Sequence, residues 1–280
     1  MKQSSKKFRT FIITNLCRLA LILTCLLVLF PLIWVISASF SKGTSLFSST
    51  IIPKTLTLEN YVNLFDKTDF VFWIKNSAIA CLGGSLLALF LTVTLAYAFS
   101  RFKFKGKKNG LLALILIQML PTTATIVGIY QILHFMGLIN KLAGLILVYG
   151  GLTIPFNAWL MRGYFNSIPK DLDESAYIDG ASSWQAFTKI TLPLAIPMVV
   201  VIFIFNMISF YNEYIFASIV MSGSEHYTVA LGMRFFTQAY ASNWSMFSAT
   251  AVLACAPILI IFYCLQKFLV QGLTQGAIKG

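Results

Sequence analysis

The chain has 280 residues, of which 58% are hydrophobic and 11% are charged, and its net charge is +12. An average soluble domain is about 25% charged, so this composition excludes a water-soluble enzyme, a disordered chain and a secreted disulfide-rich scaffold. The basic residues lie between long apolar runs, which indicates a membrane rather than nucleic acid as the partner. Five cysteines without a CxxC pair and two distant histidines predict no metal site.

Six charge-free intervals are long enough to cross a bilayer. A spanning helix needs about 20 apolar residues, because about 30 Å of hydrocarbon is crossed at about 1.5 Å per residue. Lipid offers no hydrogen-bond partner to a free backbone group, so the crossings must be helical. The sequence therefore predicts an all-α integral membrane protein with one transmembrane domain over residues 1–280. The predicted spans cover about 15–38, 76–99, 110–133, 143–161, 192–215 and 246–268.

The basic residues are divided unequally between the two sides of these spans. With the N-terminus inside, 15 of the 21 lysines and arginines fall in inner segments and 6 in outer ones. The positive-inside rule then places both termini in the cytoplasm. The densest basic block, residues 101–108, is interpreted as a topology anchor.

The longest inner segment, residues 169–191, has a helical pattern of its own. Asp171 and Glu174 have the spacing of a capping box, and Gly180 suits the left-handed end of a helix. Either serine of the Ala-Ser-Ser run after Gly180 can cap a second short helix. The apolar residues at three-residue spacing in that helix are Trp184, Phe187 and Ile190. On this pattern alone, a helix pair lying on the bilayer surface is an equal alternative to a docking element.

This segment resembles the EAA motif of ABC-importer permeases. The family pattern E-A-A-x-x-D-G-A, then Phe, Ile and Leu-Pro, is matched by ESAYIDGA at 174–181 and by the residues that follow, with Ser175 in place of the usual alanine. The resemblance implies that the segment is a coupling helix, which docks in a cleft of a cytoplasmic ATPase. The coupling residues it implies are Glu174, Ser175, Ala176, Asp179, Gly180, Ala181 and Phe187.

The six-span layout, residues 227–233 and residues 272–280 resemble one subgroup of that family, the second permease subunit of maltose/maltodextrin importers. The resemblance implies a permease subunit of an ATP-driven importer for maltodextrin-type oligosaccharides in a bacterial or archaeal inner membrane. The implied partners are membrane lipid, a different permease subunit, two copies of the ATPase and an extracellular sugar-binding protein, but no nucleic acid. The C-terminal tail is expected to insert between the ATPase copies, with contacts from Gly276, Lys279 and Gly280.

No cofactor is expected in this chain. The sequence lacks the G-x-x-x-x-G-K-[ST] pattern that cradles ATP phosphates, so ATP and Mg are expected to be used by the partner ATPase. The chain itself is therefore predicted to be a transport subunit and not an enzyme.

Polar residues within two predicted spans are candidates for the lining of the sugar path. They are Gln118, Thr122 and Thr125 in the third span, and Asn206, Ser209 and Glu213 in the fifth. Each set falls on one face of an ideal helix. Hydrogen bonding between helices, or a carboxylate that reaches interfacial water, explains these residues equally well. In the family, the well-defined sugar contacts belong mainly to the other permease subunit.

The aromatic-rich outer loop, residues 225–244, is predicted to contact the sugar-binding protein. The residue types that suit interface anchors are Tyr227, Arg234 and Trp244. A structural cap over the last two spans is the alternative.

Other functions fit the sequence less well. A permease for a different sugar shares most of the pattern. A stand-alone secondary transporter needs an ionisable group at mid-membrane, and Glu213 lies too close to the outer interface for that role. An intramembrane enzyme needs a motif such as H-E-x-x-H, which is absent.

Overall fold

The computed structural model describes residues 2–43, 53, 55–237 and 243–275, with backbone alone at 2–10, 108, 122–123 and 269–275. This part of the chain consists of helices and turns, with one isolated β-bridge between Ser41 and Leu56. The α-helices are α1 (Lys2–Ser39), α2 (Glu59–Lys67), α3 (Phe70–Arg101), α4 (Lys107–Gln118), α5 (Thr122–Phe135), α6 (Leu142–Leu152), α7 (Ile154–Ser167), α8 (Asp171–Ile178), α9 (Ser183–Ala186), α10 (Leu192–Tyr211), α11 (Ile215–Val220), α12 (Val229–Gly232) and α13 (Trp244–Gln275). A π-helical turn covers Phe187–Thr191, and 3-10 turns cover Ser224–His226 and Met233–Thr237.

Four helical stretches are long and apolar enough to cross a membrane. They are Phe11–Ser39, Phe70–Arg101, Ser183–Tyr211 and Trp244–Phe268. The α6–α7 pair, which bends by 48° at its junction, forms a fifth if it is counted as one span. These five stretches overlap every predicted span except the third.

The third predicted span is interrupted. Helix α4 ends at Gln118, and α5 begins at Thr122, because Pro121 takes an extended conformation (φ −56°, ψ 128°) and has no N–H for a helical hydrogen bond. The expectation that Gln118, Thr122 and Thr125 lie on one face of a single helix is therefore wrong.

The chain divides into two compact units, Met1–Thr68 with Met233–Leu253 and Asp69–Gly232 with Ala254–Gly280. In the first unit, the side chain of Asn60 on α2 donates to the carbonyls of Ser39 and Ser41, both at 2.9 Å. These bonds hold α2 against the end of α1. The most apolar stretch of α1 has no buried residues.

In the second unit, α3 packs against α6, α7 and α10. Small residues allow this close approach: a Cβ built on Gly84 would lie 2.6 Å from the Cβ of Tyr149, and one on Gly150 would lie 2.5 Å from a methyl carbon of Leu87. The Tyr149 ring stacks on Phe210 at 4.9 Å between centroids. A second apolar cluster, around Tyr97, Phe165 and Phe187, lies where residues 169–191 join this core.

Candidate coupling site

Helix α8 begins one residue earlier than the capping-box prediction requires. Lys170 occupies the N-cap position, no side chain caps the helix, and the Glu174 N–H donates to the Lys170 carbonyl at 3.0 Å. The predicted capping box between Asp171 and Glu174 is therefore wrong. Both acids, together with Asp173, lie in the first turn, where negative charge interacts favourably with the helix dipole.

The end of α8 is the left-handed turn that the sequence predicts. Gly180 has φ +81°, its N–H donates to Tyr177 at 3.1 Å, and the Ala181 N–H donates back to Ala176 at 2.9 Å. This pair of bonds is a Schellman motif, which satisfies carbonyls that the helix end leaves unpaired.

The second short helix is capped as predicted. Ser182 accepts from the Gln185 N–H at 3.3 Å, and the Gln185 side chain accepts from the Ser182 N–H at 2.8 Å. Helix α9 then continues through the π-helical turn into α10. Because that turn closes with a bond from the Leu192 N–H to the Phe187 carbonyl, five residues back, three-residue spacing does not stay on one face.

The predicted apolar face of this second helix is accordingly wrong in part. Phe187 is 4% exposed and packs with its ring 4.6 Å from that of Tyr97. Ile190 is half-buried. Trp184 is 61% exposed and projects from the surface.

The two sides of α8 have different surroundings. Asp173 and Ala176 face inward and are buried, whereas Glu174, Ser175, Asp179 and Gly180 are exposed. Ile178 is 86% exposed, although burial of an isoleucine side chain is favourable. The buried side of the EAA segment is therefore fixed to the rest of the protein, and its exposed side is an apolar and acidic surface.

A small depression lies beside this surface. It has a volume of about 250 Å³ and is lined by Asp179, Gly180, Ala181, Gln185, Lys189 and Ile190. Of the seven predicted coupling residues, four are exposed, one is half-buried and two are buried. The exposed ones are Glu174, Ser175, Asp179 and Gly180, the half-buried one is Ala181, and the buried ones are Ala176 and Phe187.

The inward face of α8 is held by Arg101, a residue predicted only to be part of a topology anchor. Its Nε donates to Asp173 Oδ2 at 2.5 Å, and its Nη1 and Nη2 atoms donate to the carbonyls of Phe165 and Ile168 at 3.0 and 3.1 Å. The pairing of residues 72 positions apart has no local sequence signal. Helical periodicity alone indicates that Asp173 and Ala176 share a side.

Positive charge gathers near the start of α4. Lys107 Nζ donates to the Ser100 and Phe102 carbonyls at 3.2 and 2.8 Å. Partial burial, followed by repulsion from Arg162, Lys170 and Lys103, lowers the pKa of Lys107. Of the basic block, Lys107 and Arg101 therefore have structural contacts beyond any effect on topology.

The candidate path residues of the third predicted span lie beside a cavity. Gln118 and Thr125 line a mostly apolar space of about 530 Å³ between the α4–α5 and α6–α7 segments. Gln118 Oε1 accepts from the Phe156 N–H at 3.1 Å, and Gln118 Nε2 donates to the Leu152 carbonyl at 3.3 Å. The side chain of Thr122 lies outside the described residues.

The candidate path residues of the fifth predicted span have separate surroundings. Asn206 is 1% exposed and accepts from Asn157 Nδ2 at 2.8 Å, whereas Ser209 is exposed. Glu213 follows the end of α10 and accepts from the N–H groups of Phe216 and Ala217 at 2.8 and 3.1 Å. It therefore caps α11, and it also accepts from the Tyr149 hydroxyl at 3.1 Å.

The first part of the predicted binding-protein loop is fixed to α3. Asn76 Nδ2 donates to the carbonyls of Glu225 and Tyr227 at 2.9 and 3.1 Å, and Trp73 Nε1 donates to that of Ser224 at 2.8 Å. Tyr227 is half-buried as a result.

The remaining predicted contact residues are only partly described. Arg234 is exposed, and the Trp244 ring lies 5.6 Å from that of Phe247. Residues 238–242, and the predicted tail contacts Gly276, Lys279 and Gly280, lie outside the described residues.

Known proteins resemble this chain along nearly its full length. Residues 84–275 match the family described as the inner membrane component of binding-protein-dependent transport systems. The chain belongs to that family. The resemblance to ABC-importer permeases is thereby confirmed, and the chain is a multi-pass membrane transport component rather than the ATPase of such a system.

Individual relatives support this assignment. The chain is 38% identical to the galactooligosaccharides transport system permease protein GanQ of Bacillus subtilis (strain 168), over 98% of both chains. It is 33% identical to the maltodextrin transport system permease protein MdxG of the same strain, over 94% of this chain and 95% of that protein. It is 36% identical to the maltose/maltodextrin transport system permease protein MalG of Vibrio parahaemolyticus, over 91% and 92%. The predicted resemblance to maltose/maltodextrin permease subunits is confirmed.

A solved structure has the same fold. A bacterial ABC transporter involved in the import of the acidic polysaccharide alginate matches with a TM-score of 0.78, at 23% identity, over 93% of this chain and 97% of that chain.

Among the described residues, no group of histidine, cysteine, aspartate or glutamate has the arrangement of a metal site.

Proposed function

We propose that the chain is a permease subunit of an ATP-driven importer for oligosaccharides of the maltodextrin or galactooligosaccharide class. The observation that carries the proposal is the alignment, at 33–38% identity and over more than nine-tenths of each chain, with permease subunits bearing those names. In this proposal the translocation path forms between this subunit and a second, different permease subunit. ATP hydrolysis, with Mg, belongs to two copies of a cytoplasmic ATPase.

The proposed topology has six spans, with both termini in the cytoplasm of a bacterial or archaeal cell. The excess of basic residues on the inner side supports it. The interrupted third span is long enough, because the 12 residues of α4 and the 14 of α5 give about 39 Å of helix at about 1.5 Å per residue. Apolar composition continues on both sides of the break at Pro121.

The exposed side of α8 is the proposed docking surface for the ATPase. Ile178 can fill an apolar pocket of the partner, and Glu174 can pair with a basic group there. The turn at Gly180 is open, because a Cβ built at this position would meet no atom within 4 Å, and only its positive φ requires glycine. Without a side chain here, a partner can approach the backbone closely. Ala176 and Phe187, both buried, position this surface from behind.

The predicted path residues, binding-protein contacts and tail contacts are part of the same proposal. Gln118 and Thr125 line the described cavity, which supports a position beside the path, and Thr122, Asn206, Ser209 and Glu213 complete the candidate set. Tyr227, Arg234 and Trp244 are proposed contacts of an extracellular sugar-binding protein, and the tail is proposed to reach the ATPase.

Reconstitution tests the proposed function. The chain, its partner permease subunit and the ATPase are placed in proteoliposomes with the binding protein inside or outside, and uptake of labelled maltotriose is compared with that of labelled galactotriose. We expect uptake of at least one sugar that requires both ATP and the binding protein. Uptake by this chain alone, driven by an ion gradient, would instead support the stand-alone transporter.

A further inference from the structure

The buried ion pair of Arg101 and Asp173 connects a membrane helix to the proposed docking segment. Arg101 is the last residue of α3, and Asp173 lies in the first turn of α8. The charged atoms are 2.5 Å apart, and the two side chains are 5% and 4% exposed. Within the part of the chain that the structure describes, this is the one ion pair with both partners buried.

Asp173 also contacts a third element. Its other oxygen, Oδ1, accepts a hydrogen bond from Thr191 Oγ1 at 2.5 Å. Thr191 has no exposed surface and directly precedes α10. One carboxylate therefore joins the end of α3, the start of α8 and the start of α10.

Arg101 is itself held in one orientation. Its Nη1 and Nη2 atoms donate to the carbonyls of Phe165 and Ile168, at the end of α7 and just beyond it. The planar guanidinium presents its donors in a rigid fork, so it fixes direction as well as distance. A rotation of α8 therefore breaks the pair or moves α3 with it.

We infer that Arg101 and Asp173 are a positioning pair, through which a displacement of α8 moves α3 and α10. The inference rests on the proposed docking of α8 on an ATPase. Helix α8 has an outer side, with Glu174 and Ile178, that a partner can push, and an inner side, with Asp173, that is bonded to the membrane helices. Because α3 packs on α6, α7 and α10, its movement reaches most of the second unit.

A buried pair can also serve folding alone, and the two roles predict different results. Removal of one partner leaves an unpaired buried charge, which destabilises a protein strongly, whereas replacement of both by apolar residues of similar size often preserves folding. A pair needed only for stability is therefore replaceable by apolar residues without loss of coupling. A positioning pair cannot be replaced in this way, because apolar packing does not fix the relative orientation of the helices as the hydrogen-bonded guanidinium does.

The test uses three variants in the complete reconstituted complex. Asp173→Asn removes the charge of one partner, and Arg101→Met combined with Asp173→Leu removes both charges. Asp66→Asn, at an exposed acid of α2 outside the proposed docking surface, is the matched control. Measurements are membrane level, co-purification of the ATPase, and uptake per ATP hydrolysed of the sugar that the wild type carries, maltotriose or galactotriose. We expect normal membrane level and ATPase capture for the double variant and the control, with uptake per ATP reduced about tenfold in the double variant and unchanged in the control. Asp173→Asn leaves the Arg101 charge buried without a counter-charge, so its membrane level should fall.

The outcomes separate this inference from the proposed function. Normal level and normal uptake per ATP in the double variant would overturn the inference. Loss of both pair variants from the membrane would overturn it as well, since the pair would then serve folding alone. Failure of the wild-type chain to capture the ATPase would contradict the proposed function, whereas normal capture with unchanged uptake per ATP contradicts the inference alone.

Discussion

The side chain of Gln118 makes two hydrogen bonds across the bend between α6 and α7, accepting from the Phe156 N–H at 3.1 Å and donating to the Leu152 carbonyl at 3.3 Å. The bend leaves both backbone groups without partners in their own helices. In an apolar environment an unpaired backbone group is costly, so Gln118 stabilises the bend from the end of α4. The side chain of Gln118 thus lies both at the break between α4 and α5 and at the bend between α6 and α7.

Gln118→Leu is expected to destabilise this junction. It leaves one N–H and one carbonyl unpaired, which costs about 1–3 kcal/mol. The purified complex should therefore unfold at a lower temperature than wild type in detergent or nanodiscs. Gln131→Leu, at an exposed glutamine on α5, is the matched control and should have no effect. Equal unfolding temperatures for the two variants would show that the bridge contributes little.

Gly232→Ala is expected to displace the first part of the outer loop. A Cβ at this position would lie 2.3 Å from a ring carbon of Trp73, which is 1% exposed and donates to the Ser224 carbonyl. Such overpacking costs about 1–3 kcal/mol. Binding-protein-stimulated ATP hydrolysis should fall while the complex remains assembled. Gly163→Ala, where a Cβ meets nothing within 4 Å, is the control; equal stimulation in both variants would count against a role for this loop.

Glu213 provides a test between the importer and an ion-coupled transporter. The structure uses its carboxylate to cap α11, so Glu213→Ala should lower stability by about 0.5–2 kcal/mol. Glu213→Gln keeps a side-chain oxygen for the cap but cannot carry a proton or a charge. Sugar uptake in the reconstituted complex should therefore survive Glu213→Gln. Abolished uptake in a stable Glu213→Gln variant would favour the ion-coupled alternative.

The features predicted correctly from sequence depend on neighbouring residues. The turn at Gly180 and the serine cap of the second short helix follow from backbone preferences within a few positions, so a short window contains the information. The same holds for four of the six apolar stretches, and for a fifth when the bent α6–α7 pair is counted as one span, because burial in lipid depends on local composition. The family follows from the EAA pattern, which is equally local.

The features missed depend on distant contacts or on a single backbone interruption. Arg101 and Asp173 are 72 positions apart; the charge of Arg101 indicated only topology, and the charge of Asp173 indicated no role. A count of charge-free residues does not detect the break at Pro121, since the residues on both sides remain apolar. The cap position of Asp171 was wrong by one residue, because the backbone at Lys170 already has the helical conformation.

Glu174→Lys tests the exposed side of α8. Because the Glu174 side chain is exposed and does not cap its helix, reversal of its charge should leave the fold unchanged. A basic group on the docked ATPase would then meet a lysine, so ATPase capture and uptake should both fall. Asp171→Lys, in the same turn, controls for the general effect of added positive charge. Equal losses in the two variants would show that net charge, and not this position, affects docking.

Gly180→Leu tests the turn that follows α8. At φ +81° a leucine raises the free energy of the backbone conformation by about 1–2 kcal/mol. No neighbouring atom lies within 4 Å of the new Cβ, so the side chain itself causes no clash there. This cost is small against the folding of a multi-helix membrane protein but large for the shape of a short docking surface. Gly180→Leu should therefore insert normally, capture less ATPase and lose uptake. Gly180→Asn, which tolerates the left-handed conformation better, should retain more of both. If both variants keep wild-type capture and uptake, the segment does not couple the ATPase to the membrane helices.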